Sequence, residues 1–567
     1  DGWSATLIGS NAGVALTTGF NTTIVGANSG ASLTTGDYNT AIGADALVNE
    51  DVGRGSTAIG YNALRQQNSD SNDEVTYNVG VGFQAGYNNI TGTHNTFVGS
   101  HSAVGTGNMG SNNTTLGALT LNALTTGTAN VAIGTESAKS LTVETGNISI
   151  GAGAMSAVAK GSAGNQYTNH NIAIGQNAMT GGVPSSGSFE YNIAIGNNAL
   201  NSTGTSVGTS GTIGIGYNAL TALTSGTLNT AVGYEAGKTM TTATNNSFFG
   251  YQSGHLATGG GNAGFGGSAL YQVAGGTNNS AFGSQSHQSL TSGGNNTAVG
   301  HASGYGVTTG SDNVNIGKYT SFYNQAGSDN IAIGTSSMQG SSNYNGSSCV
   351  AIGYHTLINF TGQGTGTIAV GFKALNALTS GTSNTAIGYQ SGLALTTSGN
   401  NVALGYNSLL SAVDGCNSNV AIGVQSMRYV DRGSDGSATV NGNIALGYNA
   451  LAGGDFGSSD KDLVGNIAIG KNALDATGAN AQTGTIAIGH EALTALTSGA
   501  YNTAVGYLSG QYITTGDGNT SLGYKALSGS AGTDDNNVAI GYQAMDASSG
   551  TGGGQNVFMG KNTGGGT

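Results

Sequence analysis

The chain has 567 residues, 103 of them Gly and one Pro, and a formal net charge of −13. Charged residues make up only 7% of it, against roughly 25% in ordinary globular chains. No cluster of Lys and Arg exists, which speaks against a nucleic-acid surface, and no apolar run of about 18 residues exists to span a membrane as a helix.

A short phrase recurs from end to end. Within Gly484–Leu527 it reads TIAIGHEAL, NTAVGYLSG and NTSLGYKAL, with Gly489, Gly506 and Gly523 spaced 17 residues apart. Thirty-one copies align on this glycine; 16 of the 30 intervals are 17 residues and the rest run from 16 to 24. So short a period fits one turn of a solenoid and excludes helix-pair repeats. A fixed register in every copy also argues against low-complexity disorder.

Numbering each copy from its glycine as zero, position −1 is always apolar, position −3 is usually Thr, Val or Ile, and position −2 is mostly Ala. This alternation predicts a strand. Ile42, Val232, Ile387 and Ile540, all at −1, are the expected core residues of that strand. Ala and Gly are expected on the opposite face, where another backbone comes close. Position −4 is Asn in 24 copies, including Asn39, Asn130, Asn296, Asn401 and Asn537. Stacked coils would line these up as a ladder, and Asn also suits the turn before a strand. Position +1 is Tyr in 11 copies. Position +4 is Leu or Met in one class and Gly in another, the Gly class running on into an LTTG-like tail, as in Gly13–Gly19 and Gly510–Gly516. That Gly is the expected left-handed turn residue.

In chain order, residues 1–60 read as four clean coils opening on Trp3, a candidate cap. Polar inserts follow at 65–77, at 180–191 around Pro184, at 428–441 and at 453–464. Inserts in a solenoid map to loops, and loops carry recognition, so these four are binding-loop candidates. Phe249, Phe265 and Phe282 fill −1 in successive copies and suggest a locally wider core. The chain starts without Met or a signal peptide, so a processed or longer polypeptide is expected. A single all-β domain is predicted over residues 1–567: a parallel β-roll or β-solenoid with two short strands per coil. Its thirty steps of about 4.8 Å give a rod of about 145 Å.

Little in the sequence points to catalysis. The eight His are scattered singly. Asp70, Asp73 and Glu74 lack the spacing of a calcium loop, and Asp460 and Asp462 flank Lys461 in a polar insert. Cys349 and Cys416 lie four coils apart, too far for a bridge. No enzyme activity, cofactor or metal is expected. The Tyr at Tyr217, Tyr234 and Tyr251, and at Tyr389 and Tyr406, fall in adjacent coils. They form either a glycan-contact stripe or a cover over the edge of the core or a seam between chains.

The N-[TVI]-A-[IV]-G phrase resembles the head repeat of YadA-type trimeric autotransporter adhesins, the Hep/Hag repeat. Its longer form at Asn384–Thr397, NTAIGYQSGLALTT, is similar to repeats in bacteriophage tail fibres and large bacterial surface proteins. The resemblance covers nearly the whole chain. It implies a left-handed roll, a homotrimer and an extracellular role in attachment, as a tail-fibre shaft or a bacterial surface adhesin. The expected partners are copies of the chain itself and a cell-surface glycan or protein receptor, with no nucleic acid and no membrane insertion. The period here is longer than in the adhesin head, and the adhesin's neck, stalk and membrane anchor are absent from the sequence.

Overall fold

The computed structural model describes residues 4–71, 74–158, 168–181, 187–202, 209–362, 365–412, 414–430, 439–453, 462–477, 481–529, 533–546 and 554–564. Trp3, Asp73, Pro184, Asp460 and Lys461, and most of the inserts 428–441 and 453–464, lie outside them. Two compact units divide the chain, Asp1–Ala281 and Phe282–Thr567. Among the described residues the regular structure is all β, with no helix.

Each predicted copy supplies one three-residue strand at −3 to −1. Fifteen lie in the first unit, from Thr6–Ile8 to Ala263–Phe265, and fifteen in the second, from Thr297–Val299 to Val557–Met559. One more, Ser280–Phe282, spans the division. Within each unit neighbouring strands are parallel and in register, so Thr23, Ile24 and Val25 face Thr40, Ala41 and Ile42. The register survives the longest coils: Ile148 and Ile172 are partners although 24 residues apart. Extra residues in the long coils therefore leave the strand ladder intact.

Hydrogen bonding between coils extends well beyond the strand. In the coil around Gly26, the N–H groups of Thr23, Gly30, Ser32 and Thr34 donate to the following coil, and those of Gly26, Asn28 and Tyr38 to the preceding one. The turn segments are thus as fully paired as the strand, which buried backbone requires.

The zero glycines form a column that no other residue can enter. Gly43 has φ 132, and a Cβ there would lie 2.5 Å from the carbonyl oxygen of Gly60. The +4 glycines are left-handed, with φ 57 at Gly13 and φ 63 at Gly510. In the other class of coil Leu adopts the same conformation, as at Leu47 with φ 51. A left-handed Leu costs about 1–2 kcal/mol, which its complete burial offsets, since burying a Leu side chain contributes about 2–3 kcal/mol.

The two strand faces are reversed relative to expectation. The −2 residue points into the coil: Ala41, Ala231, Ala386 and Ala539 are buried. The −1 residue points outward. Ile42 is 37% exposed and Ile387 38%, while Val232 and Ile540 are half-buried. The lumen is narrow. Besides the −2 residue it admits the small residue at +3 and Leu at +4 and +7, such as Ala46, Leu47 and Leu33. Branched side chains at −2 would overfill it in most coils. Outside, they keep their strand preference and pack along the column against like residues of adjacent coils. Phe249 and Phe282 likewise point outward and do not widen the core; the fully buried aromatic rings at −2 are Phe97 and Phe248, and Phe189, Tyr344 and Phe360 are buried at other positions.

The second strand is also not general. The LTTG-type segments run as hydrogen-bonded turns. Among the described residues a second parallel ladder forms only in the second unit, from Cys416–Asn417, Val440–Asn441, Leu463–Val464 and Gln482–Thr483. Those lie in long coils, where extra residues let the chain run straight before the −4 position.

Candidate functional site

Inside the coils, the Asn residues at −4 form a column of linked side chains. Oδ1 of Asn130 accepts the backbone N–H of Asn147 at 3.0 Å and its Nδ2 at 3.2 Å. Nδ2 of Asn130 donates to Oδ1 of Asn113 at 3.1 Å and to the carbonyl of Glu144 at 2.8 Å. The scheme repeats at Asn401, which receives both donors of Asn419 at 3.0 and 3.2 Å. It repeats at Asn296, bonded to Asn313 and Gly310, and at Asn537, bonded to Asn519 and Asn556. Asn39 donates to Gly53 and accepts from Ser56. All five are buried, and their hydrogen-bonding capacity is largely used within the chain. Where Thr takes the place, at Thr22, Thr212, Thr367 and Thr485, the buried hydroxyl has no partner.

Outside, the −1 column runs beside the +1 column. Tyr217, Tyr234 and Tyr251 stack with centroids 5.4 and 5.3 Å apart and planes within 15°. Tyr354, Phe372, Tyr389 and Tyr406 form a second stack, with 5.2 Å between the last two. His490, Tyr507, Tyr524 and Tyr542 form a third. The five Tyr of the candidate stripe are each 43–57% exposed. Because ring lies on ring, their faces are occupied and their edges and hydroxyls are what solvent meets. Sugar rings bind aromatic faces, so the geometry suits an aromatic edge along a seam better than a row of sugar platforms.

The one insert largely described, residues 65–77, turns inward at its start. Gln67 and Ser69 are buried. Both donate to the buried carboxyl of Glu50, Gln67 Nε2 at 2.8 Å and Ser69 Oγ at 3.1 Å. The N–H of Gly53 donates to it as well, at 2.7 Å. Arg65 reaches the hydroxyl of Tyr87 at 2.8 Å. This half of the insert holds a polar core in place of Leu. Residues 182–186, 431–438 and 454–461 of the other candidate loops lie outside the described residues.

Titratable groups offer little chemistry. Cys349 and Cys416 are both buried. Glu235 bonds Lys238 at 2.7 Å and approaches His255 at 3.3 Å. The Lys238 hydrogen bond, with that from Gln252, holds its carboxylate down to about 2, making it a poor base. His287 replaces Leu at +4, is fully buried, and has one ring nitrogen 3.3 Å from Asn315 and the other unpartnered. Burial alone lowers its pKa to about 3. Among the described residues no group of His, Cys, Asp and Glu could hold a metal ion, and no helix is long and apolar enough to cross a membrane.

One feature escapes the repeat register: a surface cleft of about 200 Å³ lined by Tyr305, Phe322, Tyr323, Gln325, Ser289 and Asn343, among others. The aromatic residues at +5 and +6 in successive copies were its only sequence signal. Comparison of the chain with the models of protein families and with curated proteins finds no match to either.

Proposed function

We propose that the chain is a structural fibre for host or surface attachment, a bacteriophage tail-fibre shaft that works outside the cell as a homotrimer. The observation that carries this reading is the outward strand face. Nearly every coil leaves two apolar or β-branched side chains, at −3 and −1, partly exposed in the single chain; Ser247 and Ser280 are the exceptions at −3. Over a coil spacing of about 4.8 Å and a width of about 10 Å this is about 50 Å² per coil. The fifteen coils of one unit offer about 750 Å², close to the roughly 800 Å² that each partner brings to a standard interface. A long apolar stripe on a soluble chain marks an interaction surface, and closed cyclic symmetry is the usual arrangement of identical chains. The stacked Tyr edges beside it suit such a seam. Attachment itself rests on the resemblance of the repeat to adhesin and fibre repeats, with a cell-surface glycan or protein as receptor.

Two measurements test the proposal. Sedimentation equilibrium of the purified chain is expected to give three times the chain mass of 55.5 kDa; a stable monomer sinks the trimer. Immunogold labelling of native material is expected on thin fibres attached to virions. Label on bacterial envelopes would replace the fibre by an adhesin, and label on free filaments by a filament subunit.

A further inference from the structure

We infer that the cleft beside Tyr305 binds a single neutral pyranose ring of a glycan. Its floor is aromatic and fixed. Tyr305 stacks on Phe322 at 4.8 Å and 6°, and Phe322 meets Tyr323 edge to face at 4.8 Å and 75°. Gly306 lets the chains close at the base, since a Cβ there would lie 2.4 Å from the carbonyl oxygen of Phe322. The rim is polar and uncharged: Ser289, Gln325 and Asn343 line it.

Gln325 is built to present its side chain. Its carbonyl accepts the N–H groups of Thr308 and Thr309 and its own N–H donates to the carbonyl of Tyr344 at 2.8 Å. The Thr308 hydroxyl also donates to that carbonyl, at 3.0 Å. The backbone is thereby locked, while the side-chain amide bonds nothing else among the described residues. Asn343 sits on the loop of a 19-residue coil. That loop is pinned by the buried ring of Tyr344, whose hydroxyl donates to the carbonyl of Met338 and whose ring stands edge to face on Phe360 at 5.6 Å. Both residues thus line the cleft from rigid supports, the arrangement that lowers the ordering cost of binding.

The chemistry selects the ligand. Apolar ring faces with a few placed amides and hydroxyls match a sugar, which has C–H faces and neutral hydroxyl edges. No lining residue is charged, so phosphate, carboxylate and amine groups find no counter-ion. A volume of about 200 Å³ holds one ring and not a chain of them. The cleft lies on the segment after the +4 turn, on a different wall of the coil from the −3 to −1 strand face.

The test is saturation-transfer NMR on the full chain with the methyl pyranosides of glucose, galactose, mannose and N-acetylglucosamine. Transfer to at least one is expected. Gln325→Ala, which removes a side chain the fold does not use, is expected to weaken it at least tenfold. Tyr323→Ala is expected to abolish it, and Tyr406→Ala on the exposed stack to leave it unchanged. Circular dichroism on each variant checks that the coils persist. Absence of transfer from all four sugars at millimolar concentration overturns the inference. So does transfer that survives both cleft substitutions, or binding confined to a charged sugar. These outcomes are independent of oligomer mass and of where the fibres are found.

Discussion

Replacing Asn401 by Ala tests whether the side-chain column holds the coils together. Asn401 donates to Asn384 Oδ1 at 3.1 Å, to the Gly399 carbonyl at 3.2 Å and to the Cys416 carbonyl at 2.7 Å. It accepts the backbone N–H and the Nδ2 of Asn419 at 3.0 and 3.2 Å. Truncation leaves the buried Asn419 N–H without an acceptor, a cost of about 1–3 kcal/mol. Asn419 Nδ2 keeps the Val440 carbonyl at 2.8 Å, and Asn384 Oδ1 keeps the Asn401 N–H at 3.1 Å. The other lost bonds therefore cost about 0.5–1.5 kcal/mol each. The sum is about 3–9 kcal/mol. In a linear repeat it is felt by the adjoining coils and not by the whole chain. Hydrogen exchange read by mass spectrometry should show protection falling sharply around Asn384–Asn419 and staying constant in distant coils. Unchanged protection at Asn419, with a loss below about 1 kcal/mol, would refute the reasoning and leave the backbone ladder as sufficient.

Three further outcomes are expected. Thr485→Asn should stabilise its coil by about 1 kcal/mol, because the hydroxyl there is unpaired and an amide could bond Asn466 and Asn502; slower exchange at Asn502 checks this, and no change argues that Thr was already optimal. Gly506→Ala should cost at least about 2 kcal/mol, with φ 139 and a Cβ 2.3 Å from the Gly523 carbonyl oxygen. Gly442→Ala, with φ 67 and nothing within 4 Å, should cost only about 1 kcal/mol; equal denaturation midpoints for the two would discredit the glycine column. The coil around His287 should weaken in acid. Burial lowers the folded pKa from 6.5 to about 3, so protons bind the unfolded form preferentially. Stability is full above pH 6.5 and falls as pH drops toward 3, by about 1.4 kcal/mol per unit. His287→Leu should flatten that slope in exchange measured from pH 7 to 4.5.

Much of this fold is legible in the sequence, and the limits are physical. The glycine marks the register because backbone touches backbone there, and only Gly survives that contact. The alternation around Ile42 announces a strand, but alternation alone says that two faces differ and not which one is inside. The usual weighting assigns Ile to the core and Ala to the outside; a lumen one coil wide inverts it. Left-handed Leu47 was illegible because the local preference of Leu opposes that conformation, and only its burial stabilises it. The cleft at Tyr305 was hidden for another reason. It arises from the offset between a 17-residue and a 19-residue coil, a relation that no single copy contains.

The Asn column also has a direction. From Asn78 through Asn95, Asn113, Asn130, Asn147, Asn171 and Asn192, each Oδ1 points toward the following coil and each linking backbone N–H toward the preceding one. Amide dipoles aligned in this way add, as peptide dipoles do in a helix, and each polarises the next. A run of coils therefore carries partial positive charge at its N-terminal end and partial negative charge at its C-terminal end. Thr212, Cys349, Thr367 and Thr485 cut the column into shorter runs, and so limit how much of that macroscopic polarisation any one run of coils accumulates.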